Sequence, residues 1–383
     1  MSNSEKLTIS LTGENSHKVT IPAGQGSLSI GTKGVSEGKY DVWVEKGHKI
    51  NWDAFNEFHT PAGGSWPRFF YYCGEDKGFA VWSGKRPVEN FYWMPKENAS
   101  LDLTEANIDQ FSLDALDNKI DITIGGKINL LSLAGRLEHI SVKKCTAGIP
   151  VLNFTPLVSK TETQPYKLPA YKALEKAESV KVNVKPVGQA FDCESLLQFP
   201  GLKTLDLSGN LTNLEALAKL KHLKNIGLRY VPDLTGLPGL ASWDNLTSFI
   251  GWNIEEAAGK VLKAELAALS KVKTLDYSSV SQLRKKIWFT TEYGIPFSGW
   301  ESKNEKAATK AYKACLKIIA KAKTEKDVRA AIVGFIDTLN KLPNMETSER
   351  EDAGEAVRQL AESSPLGISQ EKAGKWFDEA RDF

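Results

Sequence analysis

Leu202-Lys-Thr-Leu205-Asp-Leu207-Ser-Gly-Asn210 has the form L-x-x-L-x-L-x-x-N. Leu205 and Leu207 stand two apart, so an extended chain puts both on one face and Asp206 on the other. Apolar pairs of the same kind recur at Val180/Val182, Ile226/Leu228, Phe249/Gly251 and Leu275/Tyr277. Successive pairs, counting Leu205/Leu207, are 25, 21, 23 and 26 residues apart. Leu214-Glu-Ala-Leu217-Ala-Lys-Leu220 and residues 257–269 have helical spacing between pairs. Strand and helix are therefore expected to alternate at a fixed period.

Upstream, from 98 to 145, the period shortens. Pairs occur at Leu101/Leu103, Phe111/Leu113, Ile120/Ile122, Leu131/Leu133 and Ile140/Val142, 9 to 11 residues apart. Every second pair is then about one 20-residue repeat from the last, which predicts two short strands per coil, one on each side. Leu137-x-x-Ile140-x-Val142-x-x-Cys145 fits the same template with Cys at the Asn position. Residues 146–178, with Pro150, Pro156, Pro165 and Pro169, read as an extended insertion followed by a short helix near Tyr171.

On these motifs residues 98–280 resemble the leucine-rich repeat family, of bacterial type. The resemblance implies a solenoid whose strands stack into a parallel sheet on a concave face. The chain departs from the family pattern at the Asn position, where Val231, Ile254 and Val280 stand in later copies, so its turns are expected to be irregular. A parallel β-helix is the competing architecture for 98–145.

Residues 1–97 read as a β-rich domain dense in aromatics, among them Trp43, Trp52, Trp66, Phe70, Tyr71, Tyr72, Trp82, Phe91, Tyr92 and Trp93. Residues 281–302 form an aromatic connector with Trp288, Phe289, Tyr293, Phe297 and Trp300. From 303 to 383 four amphipathic helices are expected to make a bundle, with N-terminal signals at Thr324/Asp327, Ser348/Glu351 and Ser369. Lysine dominates 303–326 and acidic residues dominate 346–383, which suits complementary faces within the bundle or a basic face for an acidic partner. The expected class is thus α+β and multidomain: a β-rich head, a leucine-rich repeat solenoid and a C-terminal helical bundle.

The chain has 383 residues, a quarter of them charged, with a net charge of +2. So even a balance argues against a dedicated nucleic-acid binder, which needs a concentrated basic footprint. No run of 18 apolar residues and no secretory leader are visible, so the expectation is a cytoplasmic protein without a membrane partner. Cys73, Cys145, Cys193 and Cys315 are far apart and read as reduced thiols. Phosphate-loop, G-x-S-x-G and H-E-x-x-H motifs are missing, and His17, His48, His59, His139 and His222 are scattered. Some bacterial leucine-rich repeat effectors carry a C-x-D ubiquitin-ligase motif; here Leu316-Lys317 follow Cys315. The expectation is a non-enzymatic protein without cofactor or metal.

In the register set by Leu205 and Leu207, the residue between each pair points outward, which gives Lys181, Asp206, Gly227, Ile250 and Asp276. The next outward row includes Asn183, Ser208, Arg229, Trp252 and Ser278, with Tyr230 beside Arg229. Arg229, Ile250 and Trp252 cluster on adjacent repeats, and Trp, Tyr and Arg dominate protein interfaces. An outward isoleucine calls for a cover: another protein, or the chain's own insertion 146–178 or its connector near Trp288. The expected partner-binding residues are Arg229, Tyr230, Ile250, Trp252, Asp206 and Asp276. The stretch from Glu346 to Glu355 resembles tails of bacterial toxin-immunity proteins, which implies neutralisation of a toxin by steric occlusion. The alternative is a carbohydrate-binding protein that stacks sugars on Trp66, which glycine and serine flank at 63–65.

Overall fold

The computed structural model describes residues 7–22, 24–36, 39–56, 66–146, 150–159, 162–185, 188–285, 289, 297, 300–345 and 347–383. His59, Trp288, Tyr293 and Glu346 lie outside them, as do residues 57–65 before Trp66. The protein is mixed α/β, with a large parallel sheet and several C-terminal helices.

Strands β1 (Leu7–Ser10) and β2 (Lys18–Ile21) form an antiparallel hairpin. The next four strands, β3 (Ser27–Thr32), β4 (Val42–Val44), β5 (Phe69–Cys73) and β6 (Val88–Met94), are parallel neighbours. The chain then alternates between two sheets. β7 (Ala99–Leu103), β9 (Ile120–Ile124) and β11 (Ile140–Cys145) make a separate three-stranded parallel sheet. β8 (Ile108–Ala115), β10 (Leu130–Gly135) and β12 (Val151–Pro156) extend the first sheet. It continues through β13 (Ser179–Asn183), β15 (Thr204–Ser208), β17 (Asn225–Val231), β18 (Ser248–Ile254) and β19 (Tyr277–Ser281). The short β14 (Ala190–Asp192) and β16 (Asn210–Thr212) pair behind it. The large sheet has twelve strands, with β4 at one edge and β19 at the other.

Alternation explains the layering. In β15, Leu205 and Leu207 are buried while Asp206 and Ser208 are half-buried, and β8, β9, β10 and β13 repeat the pattern. The inward residues form one apolar core from Leu11 to Val280.

Three expectations change here. The boundary at 97 falls inside the sheet, because β6 lies between β5 and β8. The aromatic residues before it belong to the shared core: Phe79 stacks on Phe91 at 4.1 Å and meets Phe111 at 6.3 Å. Residues 146–178 contain a strand of the sheet, β12, whose Leu152 and Phe154 are buried. Tyr171 stacks on Phe154 at 5.5 Å, so this stretch builds the core. The connector is likewise partly core, since Phe297 and Trp300 pack into the helical unit.

Chain contacts divide the molecule into two compact units, Met1–Val35 with Asp41–Tyr293 and Ser36–Tyr40 with Gly294–Phe383. The first also holds helices α1 (Gly78–Lys85) and α2 (Glu256–Leu269). The second holds α3 (Ser302–Ile319), α4 (Glu325–Leu339), α5 (Thr347–Glu362) and α6 (Gln370–Ala380). Thr324 and Asp327 make a reciprocal capping box on α4, and the Ser369 hydroxyl caps α6. Ser348 falls within α5, which begins at Thr347, and not ahead of it. Glu325 pairs with Lys372, and Arg329 with Glu379, across α4 and α6.

Candidate functional site

Register places the outward residues of the large sheet in rows. One row runs Tyr71, Tyr92, Ser112, Ser132, Asn153, Lys181, Asp206, Gly227, Ile250 and Ser279, one residue per strand. The next row carries Asn183, Ser208, Arg229, Trp252 and Ser281 on β13 to β19. Arg229 and Trp252 are therefore immediate neighbours, with Asp206, Gly227 and Ile250 in the adjoining row.

The contacts follow from this placement. Arg229 Nε lies 3.5 Å from Asp206 Oδ1, an oxygen that is buried and accepts no hydrogen bond among the described residues. A methyl group on Gly227 would sit 3.0 Å from the Asp206 carboxyl carbon, so glycine leaves the space through which Asp206 and Arg229 meet. Tyr230 sets its ring edge against Trp252, with centroids 5.2 Å apart. Ile250, Trp252, Arg229 and Tyr230 are all half-buried.

The backbone beside this patch is unusual. Gly209, Tyr230, Asn253 and Gln282 follow Ser208, Arg229, Trp252 and Ser281, which are in register on four adjacent strands. All four have positive φ, at 110°, 56°, 53° and 51°. This register position, inside β17 and β18 and just after β15 and β19, takes a positive φ, which glycine adopts freely and a bulky side chain resists. Tyrosine at this position carries strain.

Asp276 is not part of the patch. Ile250 pairs with Ser279, and Asp276 precedes β19, where its N–H donates to Thr247 O. The shift arises because α2, fourteen residues long, replaces the three- to six-residue turns behind the earlier strands. Trp66 is half-buried and packs against the core, so part of the ring face that a sugar would need is taken.

Tyr71 and Tyr92, which aromatic density alone assigns to a core, belong to the outward row. Their rings are 6.1 Å apart, Tyr71 is 46% exposed, and Tyr92 Oη donates to Asp114 Oδ2 at 2.7 Å. Burial pushes the Asp114 carboxyl up from its usual range. The 21-residue interval from Tyr71 to Tyr92 matches the repeat and is the sequence signal for their place.

A second grouping surrounds the end of β4. Glu45 follows β4 directly, and Lys33 follows its neighbour β3, so Lys33 Nζ reaches Glu45 Oε1 at 2.5 Å. That ammonium holds the Glu45 carboxyl down, to about 2. Glu45 Oε2 contacts His17 Nε2 and lies 3.9 Å from His48 Nδ1. Two of the histidines read as scattered thus share one carboxylate. Glu45 and His48 also line a cleft of about 380 Å³ with Thr32, Tyr72, Glu75 and Asp76.

Cys193 and Cys315 are buried, and burial pushes both thiols up to about 12, which keeps them from acting as nucleophiles near neutral pH. Among the described residues, no helix is long and apolar enough to cross a membrane.

No family model, curated protein or solved structure matches this chain.

Proposed function

We propose that the first unit is an irregular leucine-rich repeat solenoid whose outward sheet face binds another protein. Arg229, Tyr230, Ile250, Trp252 and Asp206 form the centre of that contact. The observation that carries the reading is Tyr230: a large aromatic side chain stands at a positive-φ position where the regular copy has Gly209. Backbone strain of about 1–3 kcal/mol survives where the strained residue serves a purpose. Here the strain brings Tyr230 against Trp252 beside a half-exposed isoleucine and an arginine. Trp, Tyr and Arg are the residue types that dominate interface energetics.

The chain's own segment 146–178 is engaged in the core through β12 and Tyr171, which supports another protein over that segment as the cover for Ile250. The partner surface is apolar at its centre, with a carboxylate or carbonyl group for Arg229. Binding of this kind acts by occlusion, as in the neutralisation of a toxin, and asks for no chemistry from the chain. Four free cysteines suit action in a reducing cytoplasm.

The test is capture of a partner by the immobilised full-length chain. Trp252→Ala combined with Arg229→Ala should abolish capture, whereas Lys181→Ala, on the same face, should not. Edge-to-face packing of Tyr230 on Trp252 contributes about 0.5–1.5 kcal/mol, so its removal should lower the melting temperature only slightly. Capture that survives the double substitution would remove the patch from the interface.

A further inference from the structure

We infer that His17, Glu45 and His48 form a binding site for a borderline divalent cation of the zinc class, at the mouth of the cleft beside β4. One ligand atom from each residue, His17 Nε2, Glu45 Oε2 and His48 Nδ1, lies within 4.8 Å of the others. Two imidazole nitrogens and one carboxylate oxygen are the donor set that Zn²⁺ uses with further positions left to water.

The surroundings prepare each ligand. His17 sits in the turn between β1 and β2 with φ of 47°, and its side chain is 12% exposed. Its Nδ1 faces the hydroxyls of Thr12 and Ser16, the latter at 3.0 Å. A proton on Nδ1 shared with those hydroxyls leaves Nε2 bare for a metal, the way outer partners orient ligating histidines. Lys33 occupies Glu45 Oε1 and leaves Oε2 toward the two rings. The rings of His17 and His48 meet edge to face at 5.6 Å.

Coordination at about 2.0–2.2 Å from each atom requires the His17–Glu45 contact to open and His48 to swing inward. His48 can do so because its side chain is 51% exposed. Glu45 and His48 both line the cleft, which therefore borders the three ligands. Glu75 lines it too, and its Oε1 is buried without a hydrogen-bond donor among the described residues; the nearest cation is Lys46 Nζ at 3.6 Å.

Titration of the tag-free full-length chain with zinc chloride, followed by calorimetry, tests the site. Cobalt(II) chloride gives an independent reading through its visible ligand-field bands. The expected result is one zinc per chain and a cobalt spectrum of low coordination number. His48→Ala, whose ring folding does not depend on, should weaken zinc binding at least about tenfold, and Glu45→Gln likewise. Thr12→Ala, which removes the hydroxyl behind His17, should weaken it by about tenfold. The wild-type melting temperature should rise with zinc and that of His48→Ala should not. Absence of stoichiometric binding overturns the assignment, as does binding unchanged in both His48→Ala and Glu45→Gln.

Discussion

Tyr230 puts a bulky side chain where the backbone demands a positive φ, and the two effects nearly balance. A non-glycine residue in the left-handed region costs about 1–2 kcal/mol, and the ring contact with Trp252 returns about 0.5–1.5 kcal/mol. Tyr230→Gly should therefore change unfolding free energy by about 1 kcal/mol or less, measured by chemical denaturation, while partner capture falls sharply. A large loss of stability would make Tyr230 a structural residue. The strain was not legible in the sequence, since nothing in Arg229-Tyr230-Val231 announces a left-handed residue. Only the register, with Gly209 at the equivalent place, exposes it. Asp276 shows the opposite failure: Leu275/Tyr277 imitates a strand pair, yet Leu275 packs at the core margin and Tyr277 is exposed.

At the scale of single elements, α5 carries the group with the clearest pH signature. Asp352 lies on α5 and accepts a hydrogen bond from Trp300 Nε1 at 3.0 Å. Burial pushes its carboxyl up to about 6, from an ordinary value of 3.8, and the nearby Glu349, Glu351 and Glu355 push the same way. The folded state therefore binds this proton more tightly than the unfolded chain does. Its contribution to stability is present below about 3.8 and is lost as pH rises through about 6. Asp352→Asn keeps an acceptor for Trp300, and it should stabilise the helical unit at pH 7 and flatten this segment of its pH profile. Thermal melts at pH 4, 5, 6 and 7 would read both effects; an unchanged profile would show that Asp352 stays ionised throughout.

The elements themselves differ in how plainly the sequence states them. Thr324/Asp327 marks the start of α4 because the cap is a local contact between near neighbours. The pairs from Leu101 to Val142 mark β7 to β11 because alternation survives in each strand. β12 escaped because prolines surround it. Pro156 is its last residue, however, where a missing N–H disrupts little of the ladder. The grouping of His17 with Glu45 and His48 escaped as well, since it depends on β4 lying beside β3 and on the turn after β1, both tertiary facts.

On the scale of the whole molecule, two separate apolar cores imply two unfolding events. One core runs from Leu11 to Val280 and the other from Phe297 to Phe377. Differential scanning calorimetry should resolve two transitions. Leu205→Ala, at a fully buried position of the first core, should cost about 2–5 kcal/mol and move one transition. Phe335→Ala, in the second, should cost about 3–5 kcal/mol and move the other. A single transition displaced by both would mean that the cores unfold together.

The twelve-stranded sheet also bears on how the chain is made. From β6 onward each strand pairs with one laid down 20 to 29 residues earlier. Closing such short loops costs little entropy, so the sheet can be built while the chain leaves the ribosome. From β6 the growth runs toward β19, because β3 and β4 already occupy the other side of β5. Each emerging segment then docks on a finished template, and the newest strand is always the edge that receives the next one.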